Sequence, residues 1–292
     1  MKTSERARGV WLMLAAALLF SFGGMLVKLV PWNPMAISAG RSFIAGVELL
    51  LYMKIRGHRL VWNRAVLFGG FAMGATSTLY VVAAKLTAAA NAILLQYTAP
   101  IFIILFMWVI FGVKPTKLDF AATVLLFCGV TLFFLDSLEG GGMTGNLLAL
   151  ASGVTWALVF MMKQWEGADN LSSVFFGCVF CVIVGLPWLL SPSLVWSGTS
   201  VLGILTIGLL HFGAAYIFMA EGLATTPPLT ASLVAMIEPV LNPVWVAIFV
   251  HETIGALSLA GACVVIVGSL LYNILKGRES TAGNEAAGEG KS

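Results

Sequence analysis

One apolar stretch gathers groups that do chemistry in a low dielectric. Pro227 to Glu252, PPLTASLVAMIEPVLNPVWVAIFVHE, holds Glu238, Pro239, Asn242 and Pro243 in a run apolar enough to cross a bilayer. An ionised carboxylate at the centre of a membrane helix costs about 2.5–3.5 kcal/mol on insertion scales, so it needs a reason to be there. Each proline also leaves the carbonyl one turn back without its donor, Ala235 for Pro239 and Pro239 for Pro243. Such carbonyls are tolerated at membrane depth only beside protein groups or a water-filled cavity. Glu238 lies roughly 16 Å along its helix at about 1.5 Å per residue, near the bilayer centre. His211 reaches a similar depth on a segment running the other way, and a carboxylate and an imidazole there can exchange a proton. Cation or proton binding is the functional reading; a neutral Glu238 bonded to the freed carbonyls is the structural one.

Other polar side chains fall at comparable depths. Asn242 is one turn from Glu238 on the same helix face. Gln96 and Tyr97 stand just before Pro100, with Asn91 one to two turns earlier. They either bond a substrate in a central cavity or join helices, at about 0.6 kcal/mol per bond. Trp156 and Tyr216 sit deep enough to stack on a ring or a cation. Trp11, Trp32, Trp62, Trp188 and Trp196 lie near segment ends, as interfacial aromatic belts require.

The elements that position these groups are membrane helices. The chain is 60% hydrophobic and only 10% charged, with mean hydropathy +0.98, against about 25% charged residues in soluble domains. Ten apolar segments of about 20 residues, each enough to span a core of about 30 Å, can be marked. They run roughly over 9–29, 34–55, 65–86, 88–111, 117–136, 144–163, 171–190, 200–221, 228–250 and 255–275. Basic residues before the first suggest a retained signal-anchor helix. The four cysteines lie in apolar runs, so packing rather than a disulfide framework is expected, even for the Cys178-x-x-Cys181 pair. A polar tail, 277–292, is expected to be disordered.

All lysines and arginines except Lys28, Lys85 and Arg41 fall on one side of these spans. The positive-inside rule then puts both termini in the cytoplasm. A shift of 139 residues lays Gly74 on Gly213, Pro100 on Pro239 and Gly129 on Gly268; a shift of 136 lays Gly9 on Gly145 and Met25 on Met161. Two five-span halves, 1–139 and 140–276, are expected, and an odd number of spans per half gives them opposite orientations. Inverted repeats of this kind enclose a midplane binding site in transporters. The expected fold is therefore an all-α integral membrane protein of ten transmembrane helices in two inverted five-helix repeats.

Charges near the span ends suggest gates. Lys85 and Glu252 belong to one mouth, Lys163 and Glu221 to the other, and opposite charges could close each mouth in turn. Headgroup anchoring is the simpler alternative. Arg41, about 10 Å from the outer surface, could snorkel; otherwise it faces the cavity or meets a carboxylate from another helix, and a structural or gating partner is expected rather than a substrate contact.

The segment Tyr80-Val-Val-Ala-Ala-Lys-Leu-Thr-Ala-Ala-Ala-Asn-Ala-Ile-Leu-Leu-Gln-Tyr-Thr-Ala-Pro100 resembles the third-to-fourth helix region of EamA-type members of the drug/metabolite transporter superfamily. Ile237-Glu-Pro-Val240, followed by Glu252, resembles the second-half counterpart; Val113 stands where the repeat would place that acidic residue. The resemblance covers nearly all ten spans. It implies a carrier, usually an exporter, working by alternating access in the cell (inner) membrane, with substrates among amino acids and derivatives, sugars, nucleotides and drugs.

The expected function is a secondary transporter of small amphiphilic organic metabolites such as amino acids, through Glu238 proton-coupled or as a passive uniporter. A small-molecule substrate and the bilayer are its partners, with no cofactor, metal or nucleic acid, in a monomer or homodimer. The rival is a membrane-embedded enzyme acting on a lipid-soluble or small substrate. Against it, no H-E-x-x-H zinc motif, nucleophile elbow or phosphate loop occurs.

Overall fold

The computed structural model describes residues 3–112, 114–140, 142–161, 165–225, 234–235, 237–251 and 255–289. The described residues form helices joined by short turns. In chain order these are α1 (Thr3–Ser21), α2 (Gly23–Leu29), α3 (Pro34–Arg56), α4 (Arg64–Leu86), α5 (Ala89–Gln96), α6 (Ala99–Phe111) and α7 (Lys117–Gly140). There follow α8 (Met143–Met161), α9 (Asn170–Leu189), α10 (Gly198–Thr206), a π-helical turn (Ile207–Ala214), α11 (Ala215–Thr225), α12 (Ile237–Phe249) and α13 (Ala256–Glu289). Side-chain caps set several starts. Asn33 accepts from the Met35 N–H with Pro34 in the first turn, and Asn63, Asp169 and Ser197 accept from the N–H three residues on.

Among the described residues, six stretches are long and apolar enough to cross a membrane: Ala7–Leu29, Pro34–Arg56, Arg64–Leu86, Asn91–Phe111, Asn170–Leu189 and Gly198–Met219. Met143–Val159, Ile237–Phe249 and Leu259–Tyr272 are shorter apolar helices. The outer surface is apolar, with Phe43, Val109, Phe120, Ile183 and Leu202 all exposed. Lipid covers such side chains as readily as a protein core does. The segment expected to be a disordered tail is helical through Glu289, where alanine and glutamate favour the helix.

Two of the membrane-length stretches are broken, and one carries a π turn. α5 stops at Gln96 and α6 starts at Ala99, where a proline at 100 has no N–H to give the residue-96 carbonyl. The Thr98 hydroxyl returns to the Leu95 carbonyl at 2.7 Å, satisfying one acceptor the break releases. α1 and α2 part at Phe22. The π turn spans two glycines, Gly208 and Gly213, packed on the Arg41 carbonyl and the Glu48 carboxylate of α3.

Small residues set the packing, as expected where lipid gives helices no hydrophobic drive to associate. α4 and α9 meet at Gly70 and Gly177, so closely that a Cβ on Gly70 would lie 2.6 Å from that of Phe176. α3 packs on α9 and on the π turn, α4 on α8 and α9, α7 on α13, α1 on α11, and α12 on α1 and α5. Cys178 and Cys181 are free buried thiols within α9, and Cys181 Sγ lies 3.4 Å from the Gly74 carbonyl.

The two ends of the bundle are tied differently. At one, Glu221 accepts from the Tyr52 hydroxyl and pairs with Arg56 at 3.3 Å, while His58 meets Asp169 at 3.2 Å. Desolvation, the largest influence, pushes the Asp169 carboxyl up, but hydrogen bonds from Ser172 and His58 together hold it below its ordinary value. At the other end the ties run to neutral groups. Trp32 donates to the Val195 carbonyl at 2.8 Å and Thr87 to Asn146 Oδ1 at 2.7 Å.

Candidate functional site

The helix breaks and the π turn surround a cavity of about 50 Å³, room for a few water molecules. Its wall takes Gln96 and Tyr97 from the α5–α6 break, His211 from the π turn, Tyr216 from α11, Trp156 from α8 and Glu238 from α12. Six of the eight residues predicted for a central site therefore converge. Asn91 and Asn242 are buried but do not line this cavity; Asn242 packs instead beside Gly24.

Glu238 is held from across the bundle. Its Oε2 accepts from the Tyr97 hydroxyl at 2.7 Å, and that hydroxyl also lies 3.4 Å from the Ala235 carbonyl that Pro239 deprives of a donor. The carboxylate therefore bonds a side chain of the other half of the chain, in place of the freed carbonyls of its own helix. A tyrosine hydroxyl carries one hydrogen, so the shorter contact takes it and the carbonyl is left a weak acceptor.

The middle of the cavity is aromatic. Phe20 meets the edge of Tyr216 at 4.9 Å between ring centroids and of His211 at 5.8 Å, and Phe212 meets Tyr216 at 5.0 Å. These edge-to-face contacts fix ring positions and present π faces and edges to whatever enters. His211 fits only because Gly23 is opposite; a Cβ there would collide with the imidazole ring.

Of the places open to Arg41, the structure shows the cavity. It does not snorkel and meets no carboxylate among the described residues; it is 1% exposed and lines the same cavity as Glu238. Its Nη2 donates to the Ser77 carbonyl at 3.1 Å and hydroxyl at 2.7 Å, and its Cζ lies 4.7 Å from the centroid of the Phe212 ring. Nε and Nη1 have no hydrogen-bond partner among the described residues. Seven residues along α3, Glu48 lies against Gly213 and not toward Arg41.

Of the expected gate charges, Lys85 donates to the Val30 carbonyl at 2.6 Å, and Glu221 bonds Tyr52 and Arg56. Lys163 and Glu252 lie outside the described residues.

Sequence reasoning missed Phe20, Thr76, Ser77, Tyr80 and Phe212 in the wall. The three polar ones carried a usable signal, being hydroxyls in the middle of an apolar span. The two phenylalanines carried none, since apolar spans are full of them.

The model of the EamA-like transporter family matches this chain twice, over residues 7–135 and 143–274. An uncharacterised transporter of Bacillus subtilis, YwfM, is 27% identical over 92% of this chain and 95% of its own length. The threonine/homoserine exporter RhtA of Salmonella typhimurium is 24% identical over 70% of this chain and 69% of its own. Solute carrier family 35 member G1 of Homo sapiens is 26% identical over 94% of this chain and 80% of its own. One solved crystal structure superposes with a TM-score of 0.67 at 21% identity, covering 92% of this chain and 98% of that one, which shows the fold alone.

Proposed function

The chain belongs to the EamA-like transporter family, and on that premise we propose that it is a secondary transporter exporting small amphiphilic metabolites such as amino acids or their derivatives. Its relatives are transporters, not enzymes. The carrying observation is the cavity itself: Glu238, Tyr97, His211 and a cluster of aromatic rings face one void inside the bundle. Broken helices of this kind hold substrates near the bilayer midplane in transporters.

Ten spans in two inverted repeats, 1–139 and 140–276, are part of the same reading, with both termini in the cytoplasm. The double family match supports it. So does the packing, which pairs equivalent partners: α3 with α9, α7 with α13, α5 with α12, and α1–α11 as the counterpart of α4–α8. In alternating access the Tyr52–Arg56–Glu221 ties and the Trp32–Val195 and Thr87–Asn146 ties break in turn. Glu238 exchanges the coupling proton, because it is the carboxylate in the wall and substrate entry alters its contact with Tyr97.

The test is efflux from proteoliposomes loaded with labelled amino acids, across pH, with wild type and Glu238→Gln. Wild-type efflux follows an imposed proton gradient and the variant loses that dependence. Full, equally pH-dependent flux in the variant would remove Glu238 from coupling.

A further inference from the structure

The cavity holds two opposite formal charges that do not satisfy each other. Glu238 is engaged by Tyr97. Arg41 is fixed on one side by Ser77 and stacked on Phe212; among the described residues, Nε and Nη1 are unbonded and no carboxylate is within ion-pair distance. A guanidinium buried to this degree is stable only when something completes its donor set. Nη1 has two N–H groups and Nε one, and hydrogen bonds from a charged donor to a carboxylate oxygen are among the strong ones. The Ser77 bonds through Nη2 already hold the guanidinium plane, so a ligand loses little freedom by docking on it.

We propose that Arg41 is the carboxylate-binding residue of the transport site and that the substrate class is a small zwitterion, an α-amino acid. Its carboxylate accepts from the unsatisfied guanidinium donors of Arg41, and its ammonium lies toward Glu238 and the faces of Tyr216 and Trp156. Both charged residues line one small cavity, so one short molecule carrying both complementary groups reaches both. A compound with only one of the charges leaves Arg41 or Glu238 unmatched, and a site built to bond a group rejects analogues lacking it. This rests on the transporter reading of the same cavity and narrows it.

Proteoliposomes are loaded separately with matched triplets: an L-amino acid, its carboxamide and its 2-hydroxy acid, carrying the side chain of alanine, threonine or phenylalanine. In at least one triplet the wild type releases the amino acid about tenfold or more faster than either analogue, after subtraction of protein-free vesicles. Arg41→Gln removes that preference, bringing the amino acid down to the rate of its amide, while Arg41→Lys keeps part of it. Equal release of amino acid and amide by the wild type, which needs no variant to fold, overturns the assignment and leaves a carrier. So does an Arg41→Gln protein that slows all three compounds alike. Release of none of the nine by the wild type defeats both this assignment and the amino-acid export reading.

Discussion

Arg41 and Arg56 stand on one helix, α3, in two different solvents. The Arg56 side chain is 54% exposed and pairs with Glu221 at 3.3 Å; water hydrates both groups, so the bond can open and close at small expense. Arg41 is 1% exposed and has Ser77, the Phe212 ring and two unbonded nitrogens. The difference is instructive. A charge that water reaches is suited to a removable tie at a mouth, whereas a charge that water does not reach must be completed by protein or by cargo.

The largest test of that contrast is Arg41→Met. Transport falls about 10- to 100-fold, the range corresponding to about 1.5–3 kcal/mol for a hydrogen bond to a charged group. The melting temperature in detergent holds or rises, because an apolar chain of similar volume replaces a desolvated charge. Loss of flux together with a collapse in melting temperature would make Arg41 a structural brace, and the contrast would disappear.

Next in size is Gly23→Ala. The added methyl meets the His211 ring, whose position is set by the π turn and Phe20. Overpacking of this kind costs about 1–3 kcal/mol, read as a lower melting temperature with reduced efflux. An unchanged protein would mean that His211 moves freely and that the cavity wall is less defined than its ring contacts imply.

At the charged end, Asp169 offers a pH test. Its folded-state value lies below the ordinary 3.8, so its ionisation contributes stability above about pH 4 that disappears as pH falls through the folded value. Thermal melts between pH 7 and pH 3 show this loss in wild type, and Asp169→Asn, which keeps the helix cap, flattens it. Asp169→Ala also removes the cap to Ser172 and lowers stability by about 1 kcal/mol.

The smallest effect belongs to Arg56→Gln. Exposed ion pairs contribute about 0–1 kcal/mol, so the melting temperature moves little, and less still at 1 M salt. A shift as large as that from Gly23→Ala would show the Arg56–Glu221 tie to be structural rather than removable.

Much of the architecture was legible in the chain, since hydropathy alone marks where backbone must satisfy itself in helices. Pro239 located the freed Ala235 carbonyl that Tyr97 approaches, whereas 88–111, expected as one span, is broken between Gln96 and Ala99. Glu238, Gln96, Tyr97, His211, Trp156 and Tyr216 were found because polar or amphipathic side chains in apolar spans are expensive unless they share a wet interior. What the chain did not disclose was which way each side chain turns. Asn91 and Asn242 obey the same rule yet are buried outside the cavity wall, and Phe20 and Phe212 look like any lipid-facing phenylalanine.

The sequence by itself determined a membrane-embedded helical chain, its family, and which polar groups fall inside apolar spans, because these depend on local composition and order along the chain. Only the tertiary structure decided that Arg41 turns inward without a carboxylate, that Glu221 pairs with Arg56 and Tyr52, and that Glu238 bonds Tyr97 across the bundle. Those outcomes depend on the rotation of each helix about its own axis. That rotation is set by close contacts at glycines such as Gly23, Gly70 and Gly213, between residues far apart in the chain.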